Sequence, residues 1–404
     1  MELTSEERAI LAGKHGEAQR RALEYQLEVG RFWGAKRFVP VTSVHMMGDI
    51  EVMGDGGLAW LKAEADLGAR CRVATTTNAR CIDFAHCDRL GQDAGEVAKE
   101  RELIATLRRM DVVTTDTCIN YQTVYQPHLG EHVAWGDTGT VIYANSVFGA
   151  RSNFESGPAA LAAALTGRTP EYGFHLDVHR RGTFAVRLDC SLEDLADWGA
   201  VGKLVGEAHQ DYFAVPVFHG FHRTPTADEL KHLGAALASY GSMGMFHFVG
   251  VTPEAPDRLP AERITIGEGE IESVYAGYGL GGGDARLVVF SGPQQSLLEM
   301  KRLAELFHQR TVKGSCFVTT NSAVLAQSRD LGYAQTLEKA GVSILQGVCF
   351  YILQNLSPMR EKNGWSNMVS NSAKIVNIIG AHRFNTILRR TADCVEIACT
   401  GKLK

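Results

Sequence analysis

Four cysteines carry much of the chemistry this sequence offers. Cys118 closes "DVVTTDTC", Cys316 lies in "GSCFVTT", Cys349 in "ILQGVCF" and Cys394 in "TADCVEIAC". Each falls at or just past the end of a predicted strand, where open α/β sheets gather their ligands. Type and position leave four readings of Cys118: a small core residue, a nucleophile, half of a disulfide, or a metal ligand. The 404 residues include nine cysteines and no C-x-x-C, so a metal site has to be assembled from distant segments. "CIDFAHC" offers Cys81, His86 and Cys87 without a partner pair. These two cysteines read as core, as do Cys71, Cys190 and Cys399.

Hydroxyl and amide groups recur at strand ends in the same way. "VTSVH" supplies Ser43 and His45, "TTTN" supplies Thr76, "YANSVFGARSN" supplies Asn145, Ser146 and Arg151, and "SNSAK" supplies Asn371, Ser372 and Lys374. Turn chemistry accounts for any one cluster. Four clusters, each behind a strand, describe a polar pocket for a small substrate bearing a carboxylate. Arginine offers that group a planar fork, and lysine a point charge.

The elements that must position these residues alternate. Thr4 and Glu7 form a capping box for an opening helix. "RFVPVTSVHM" reads as one buried strand running into a loop, "MMGDIEVMGDGG", then a helix, then the strand "RCRVATTT". A helix over "GEVAKERELIATLRRM" leads to a strand over "DVVTTDTC". The spacing predicts α/β architecture. "FHLDVHRRGTFAVRLDC" reads as a β-hairpin, opening an inserted α+β subdomain. "PEAPDRLPAERITIGEGEIES" reads as a surface linker, and the last third as βαβαβ. The expected division is 1–170, an α/β domain with the first site cysteine, then 171–280, the insertion and linker, and 281–404, an α/β domain with the others.

Composition narrows the function classes. A net charge of −5 argues against nucleic-acid or anionic-membrane partners, which call for basic patches. No apolar run spans a bilayer and the N-terminus lacks a signal-peptide layout, so the cytoplasm is the expected address. "GYGLGGGDAR" does not follow a strand and open a helix as a dinucleotide motif would. Walker A, H-E-x-x-H and G-x-S-x-G are absent.

Longer stretches resemble the aconitase X family: "LAGKHGEAQRRALEY", "VPVTSVHMMGD", "TTDTCINYQ", "YANSVFGARSNFESGPAALAAALTGRTPEYGFH", "HFVGVTPEAP", "VSNSAK" and "ADCVEIACTGK", in family order over nearly the whole chain. The resemblance implies an aconitase-like fold of several α/β/α domains and an iron-assisted dehydration. The iron is a mononuclear ion or a [2Fe–2S] cluster held by Cys118, Cys349 and Cys394, while Cys316 stays structural. Thiolates suit iron, and three ligands leave a position open for a substrate oxygen. Ser43, His45 and Lys374 are the implied catalytic groups. Thr76, Asn145, Ser146, Arg151, Asn371 and Ser372 are the implied substrate contacts.

The implied substrate is a small hydroxy acid, cis-3-hydroxy-L-proline. Mevalonate 5-phosphate is the alternative, and a non-catalytic iron-binding relative a third reading. Two departures stand out. "GPQQS" has Gln294 and Gln295 where the family often has Pro-His-x-Ser. The sequence also stops at "ACTGKLK", short of the swivelling domain of fused members. The implied chain is therefore a large subunit whose partner is a small swivel subunit of about 130 residues.

Overall fold

The computed structural model describes residues 1–155, 157–279 and 284–403. Residues 280–283, the "LGGG" of the glycine run, lie outside them. Among the described residues, fourteen strands form four sheets. In the first region β1 (Phe38–Pro40), β2 (Ser43–Met46), β3 (Ala74–Thr77), β4 (Ala134–Trp135) and β5 (Arg168–Pro170) appear in turn. β3, β2 and β4 make a parallel sheet in that order, while β1 and β5 pair antiparallel beside it. "RFVPVTSVHM" is thus two strands rather than one. Pro40 has no N–H to continue the ladder, and the chain changes sheet there.

The middle region holds β6 (Phe184–Asp189), β7 (Pro216–His219), β8 (His247–Phe248) and β9 (Arg263–Gly267), in the order β8-β7-β6-β9. Every pairing is parallel. The expected hairpin is absent among the described residues. Residues 173–179 form two 3-10 turns, and β6 begins only after Gly182. The expected linker is also structured: "RITIG" is β9, paired along its length with β6, and Glu268–Ala276 is a helix. Ile266 faces the core from this strand, so burial outweighs the charged flanks.

The third region carries β10 (Leu287–Phe290), β11 (Ser315–Thr320), β12 (Ser343–Gln346), β13 (Asn367–Ser370) and β14 (Asn385–Leu388), ordered β12-β11-β10-β13-β14 and all parallel. Its buried strands read as near-continuous apolar runs, as a sheet covered on both faces requires. One large apolar core continues from this sheet through the middle region into residues 118–150.

Two local departures shape the site. "MMGDIEVMGDGG" is not a loop: the Asp49 carboxylate accepts the Val52 N–H at 3.1 Å and caps a helix, Ile50–Asp66, broken only at Gly54. "DVVTTDTC" is not a strand. Beyond one bridge between Val113 and Thr76, the Thr115 hydroxyl and the Thr117 N–H both donate to the Thr77 carbonyl, at 2.9 and 3.2 Å. These bonds divert the chain from a ladder into a turn. Asp116 completes the turn in the left-handed region, at φ 49°.

Candidate functional site

Three segments converge on a largely buried cluster. The turn after the helix Ala94–Arg109, bonded to the end of β3, brings Cys118, the turn after β12 brings Cys349, and the helix after β13, Ala373–Ile378, brings Lys374. The Lys374 ammonium donates to Asp137 Oδ1 at 3.1 Å. Burial works against its charge, but Asp137 and the Cys118 and Cys349 thiols outweigh it, leaving its pKa above the ordinary value. Burial pushes the Cys118 thiol up to about 12, with Asp137 and Cys349 adding to the shift and Lys374 opposing it. The Cys349 thiol is raised chiefly by burial, against Lys374. Both thiols therefore stay protonated unless a cation replaces the proton.

His45 closes another side. It is wholly buried, and desolvation drives its imidazole down to about 4 despite the field of Asp137. Its Nδ1 lies 2.8 Å from the Thr76 hydroxyl, which itself donates to the Val44 carbonyl at 3.4 Å. Thr76 is thus placed to accept from Nδ1–H, while Nε2 is buried without a hydrogen-bond partner and the Thr117 backbone favours the protonated ring. Ser43 serves at one remove. Its hydroxyl accepts the Trp135 indole N–H at 2.9 Å, and the Trp135 ring lies edge-on to His45, centroids 6.2 Å apart.

Asp137 carries no signal in a motif search, yet it is central. It follows β4 with φ 74°, a strained position for a residue with a side chain, and caps the helix after it through the Gly139 N–H at 3.2 Å. An acid placed just past a strand end, in "AWGDTG", was the signal available in the sequence.

Gln294 joins the two cysteine loops. Its backbone N–H donates to Cys118 Sγ at 3.3 Å, and its side-chain amide donates to the Asp116 and Val348 carbonyls, each at 3.2 Å. Its Oε1 is buried without a partner. The Gln294 carbonyl accepts the ammonium of Lys231 at 3.3 Å, and Lys231 is itself paired with Glu299.

The other expected residues fall elsewhere. Asn145 spends its amide on the Ser152 and Gly244 carbonyls, and Ser146 accepts the Phe246 N–H at 2.9 Å. Arg151 donates to the His175 carbonyl at 2.8 Å and pairs with Asp177. These three tie the first region to the middle one. Ser372 caps the Lys374 helix and donates to the Gly292 carbonyl, so it positions Lys374. Asn371 donates to Thr391 at 3.1 Å, with its Oδ1 unpartnered.

Cys394, expected as the third ligand, faces other surroundings. Its helix, Thr391–Thr400, packs over β10 and β13 and directs the thiol to the Arg389 carbonyl at 3.4 Å, with Cys316 and Asp194 as its charged or ionisable neighbours. Among the described residues no three His, Cys, Asp or Glu side chains are placed to hold a metal ion. The Cys118 and Cys349 pair nonetheless suits iron in donor type and burial. The third thiol is not beside it.

Comparison with known proteins agrees with this layout. Sequence models of the aconitase X first, second and third domains match residues 1–178, 182–276 and 285–400. The phosphomevalonate dehydratase large subunit of Thermococcus kodakarensis is 33% identical over 93% of the chain and 94% of its own length. That of Methanosarcina mazei is 32% identical over 100% and 98%. The cis-3-hydroxy-L-proline dehydratase of Pseudomonas aeruginosa is 32% identical over 98% of the chain and 70% of its own length. The crystal structure of Thermococcus kodakaraensis aconitase X in its holo-form superposes with TM-score 0.88 at 31% identity, covering 98% of this chain and 100% of that one.

Proposed function

This chain belongs to the aconitase X family, and from that premise we propose that it is the large subunit of a dehydratase acting on cis-3-hydroxy-L-proline. The Lys374–Asp137 pair carries the substrate assignment. A zwitterionic imino acid has one carboxylate for Lys374 and one ammonium for Asp137. A phosphorylated hydroxy acid would bring two anionic groups to a cluster with one cation and one anion.

The reaction removes the proton at C2 and the hydroxyl at C3, leaving an enamine that tautomerises to Δ1-pyrroline-2-carboxylate. Lys374 holds the carboxylate and stabilises the enolate-like charge that develops on it. Asp137 fixes the ring nitrogen. His45 Nε2 accepts the C3 hydroxyl hydrogen bond and orients that group, with Thr76 setting the tautomer and Trp135 backing the ring. Cys118 and Cys349 would hold iron, which as a Lewis acid makes hydroxide a better leaving group. The C2 base comes from a small swivel subunit that closes over the pocket.

A second reading has its own support. The relatives whose length matches this chain are named phosphomevalonate dehydratase large subunits. One experiment separates the readings: anaerobic co-purification with the small subunit, iron and sulfide analysis, and parallel turnover of both substrates. Hydroxyproline turnover by an iron-containing complex is the expected result. Turnover of mevalonate 5-phosphate alone would replace the substrate assignment, and a complex lacking both metal and turnover would overturn the dehydratase reading.

A further inference from the structure

A second cleft backs onto the cysteine loops. It measures about 500 Å³ and is lined by Arg80, Arg101 and Arg108, with Thr114, Thr115 and Ser322 among the polar groups. Its walls are segments that follow β3, β11 and β12, the same strand ends that build the site.

The three guanidiniums are held in place largely without acids. On the helix Ala94–Arg109, Arg101 and Arg108 are two turns apart on one face, with Ile104 and Ala105 between them as the floor. Arg101 lies over the Phe84 ring at 4.4 Å, and Arg80 over the same ring at 4.9 Å. Arg108 is fixed by the Thr114 hydroxyl, at 3.0 and 3.2 Å. Only Arg80 has a carboxylate partner among the described residues, Asp116. The cleft thus sets three cations against one lining carboxylate, Asp116, whose field reaches Arg80 and Arg108, in a chain whose net charge is −5. Pinned like charges repel until an anion arrives, and planar forks match phosphoryl oxygens in pairs.

We propose that the Arg80–Arg101–Arg108 cleft is a binding site for a phosphoryl-bearing small anion, separate from the Lys374 pocket. Its volume suits a small molecule rather than a protein segment. Because the Arg80–Asp116 pair forms its inner wall, the bound anion bears directly on the turn that carries Cys118. The site goes beyond the dehydratase reading and does not depend on which substrate that reaction takes.

The test uses the full chain and inorganic pyrophosphate as the probe. Calorimetric titration at low salt is expected to give saturable one-to-one binding that weakens as salt is raised. In Arg101→Gln/Arg108→Gln, both exposed positions on a helix surface, affinity falls at least about tenfold while the melting temperature is kept. Kinetics of the two-subunit complex then identifies the source of the anion. Pyrophosphate that only raises KM for the substrate turned over, with kcat unchanged, would place the anion in the substrate's own pocket and overturn the separate site. Pyrophosphate that changes kcat on hydroxyproline with KM unchanged marks a separate effector. No saturable binding, or equal affinity in the double variant, overturns the proposal.

Discussion

The backbone N–H of Gln294 points at the Cys118 sulfur from 3.3 Å, while the same residue's amide spans the carbonyls of Asp116 and Val348. One side chain therefore sets the separation of the two thiol loops. Gln294→Ala removes both amide bonds and leaves two buried carbonyls unpaired. It is expected to cost about 1–3 kcal/mol in urea unfolding and to lower iron content in anaerobic preparations. Unchanged iron would show that the clamp does not govern the pair.

Cys118 and Cys349 are the thiols that share surroundings, each facing Lys374 and Asp137. Cys118→Ser and Cys349→Ser are expected to lose iron and turnover together. Cys394→Ser is expected to keep the metal, since its thiol bonds the Arg389 carbonyl. Loss of iron in all three variants would restore Cys394 to the ligand set.

Lys374→Met leaves Asp137 without its cation and the substrate carboxylate without a partner. We expect kcat/KM on hydroxyproline to fall by about a hundredfold or more, the scale of removing one electrostatic stabiliser. Asp137→Asn is expected to act mainly on KM, because the group it holds does not react. The reverse pattern would exchange the two roles.

Lys231 is fully buried among Glu299, Asp228 and His232. Lys231→Met removes the cation that faces both Glu299 and Asp228 and leaves them their neutral partners, with an expected loss of about 3–5 kcal/mol. Adding Glu299→Gln should recover part of it. A single variant as stable as the parent would mean that the network is neutral.

Stability should also depend on pH through Asp49 and Glu100. Burial raises their carboxyls to about 7 and about 8, well above the ordinary carboxylate range. The folded chain therefore holds protons that the unfolded chain has released. The contribution is complete below the unfolded values and is lost as pH rises towards 8. Glu100→Gln, which keeps an acceptor for the Ile50 N–H, should flatten the decline in urea midpoint between pH 5 and 8. An equal slope in parent and variant would rule out this pair as the cause.

The sequence by itself determined the alternating α/β order, the opening capping box, and the place of Lys374 just past a strand end, whereas Ser43 opens β2 and His45 lies within it. Apolar periodicity, cap chemistry and strand length are local properties and can be read locally. It also marked Cys349, in the turn after β12, and Cys118, although the stretch before Cys118 is a turn and not the expected strand. What it could not determine was which distant segments meet. The parallel pairing of β6 with β9 converts a charged stretch into a strand, and threonine hydroxyls turn "VVTTDTC" away from the sheet. Asp137 enters the site through a positive φ that no pattern encodes. The Cys394 thiol turns to the Arg389 carbonyl because its helix packs across the third sheet. A thiol's type is written in the chain; its neighbours are set by packing across hundreds of residues.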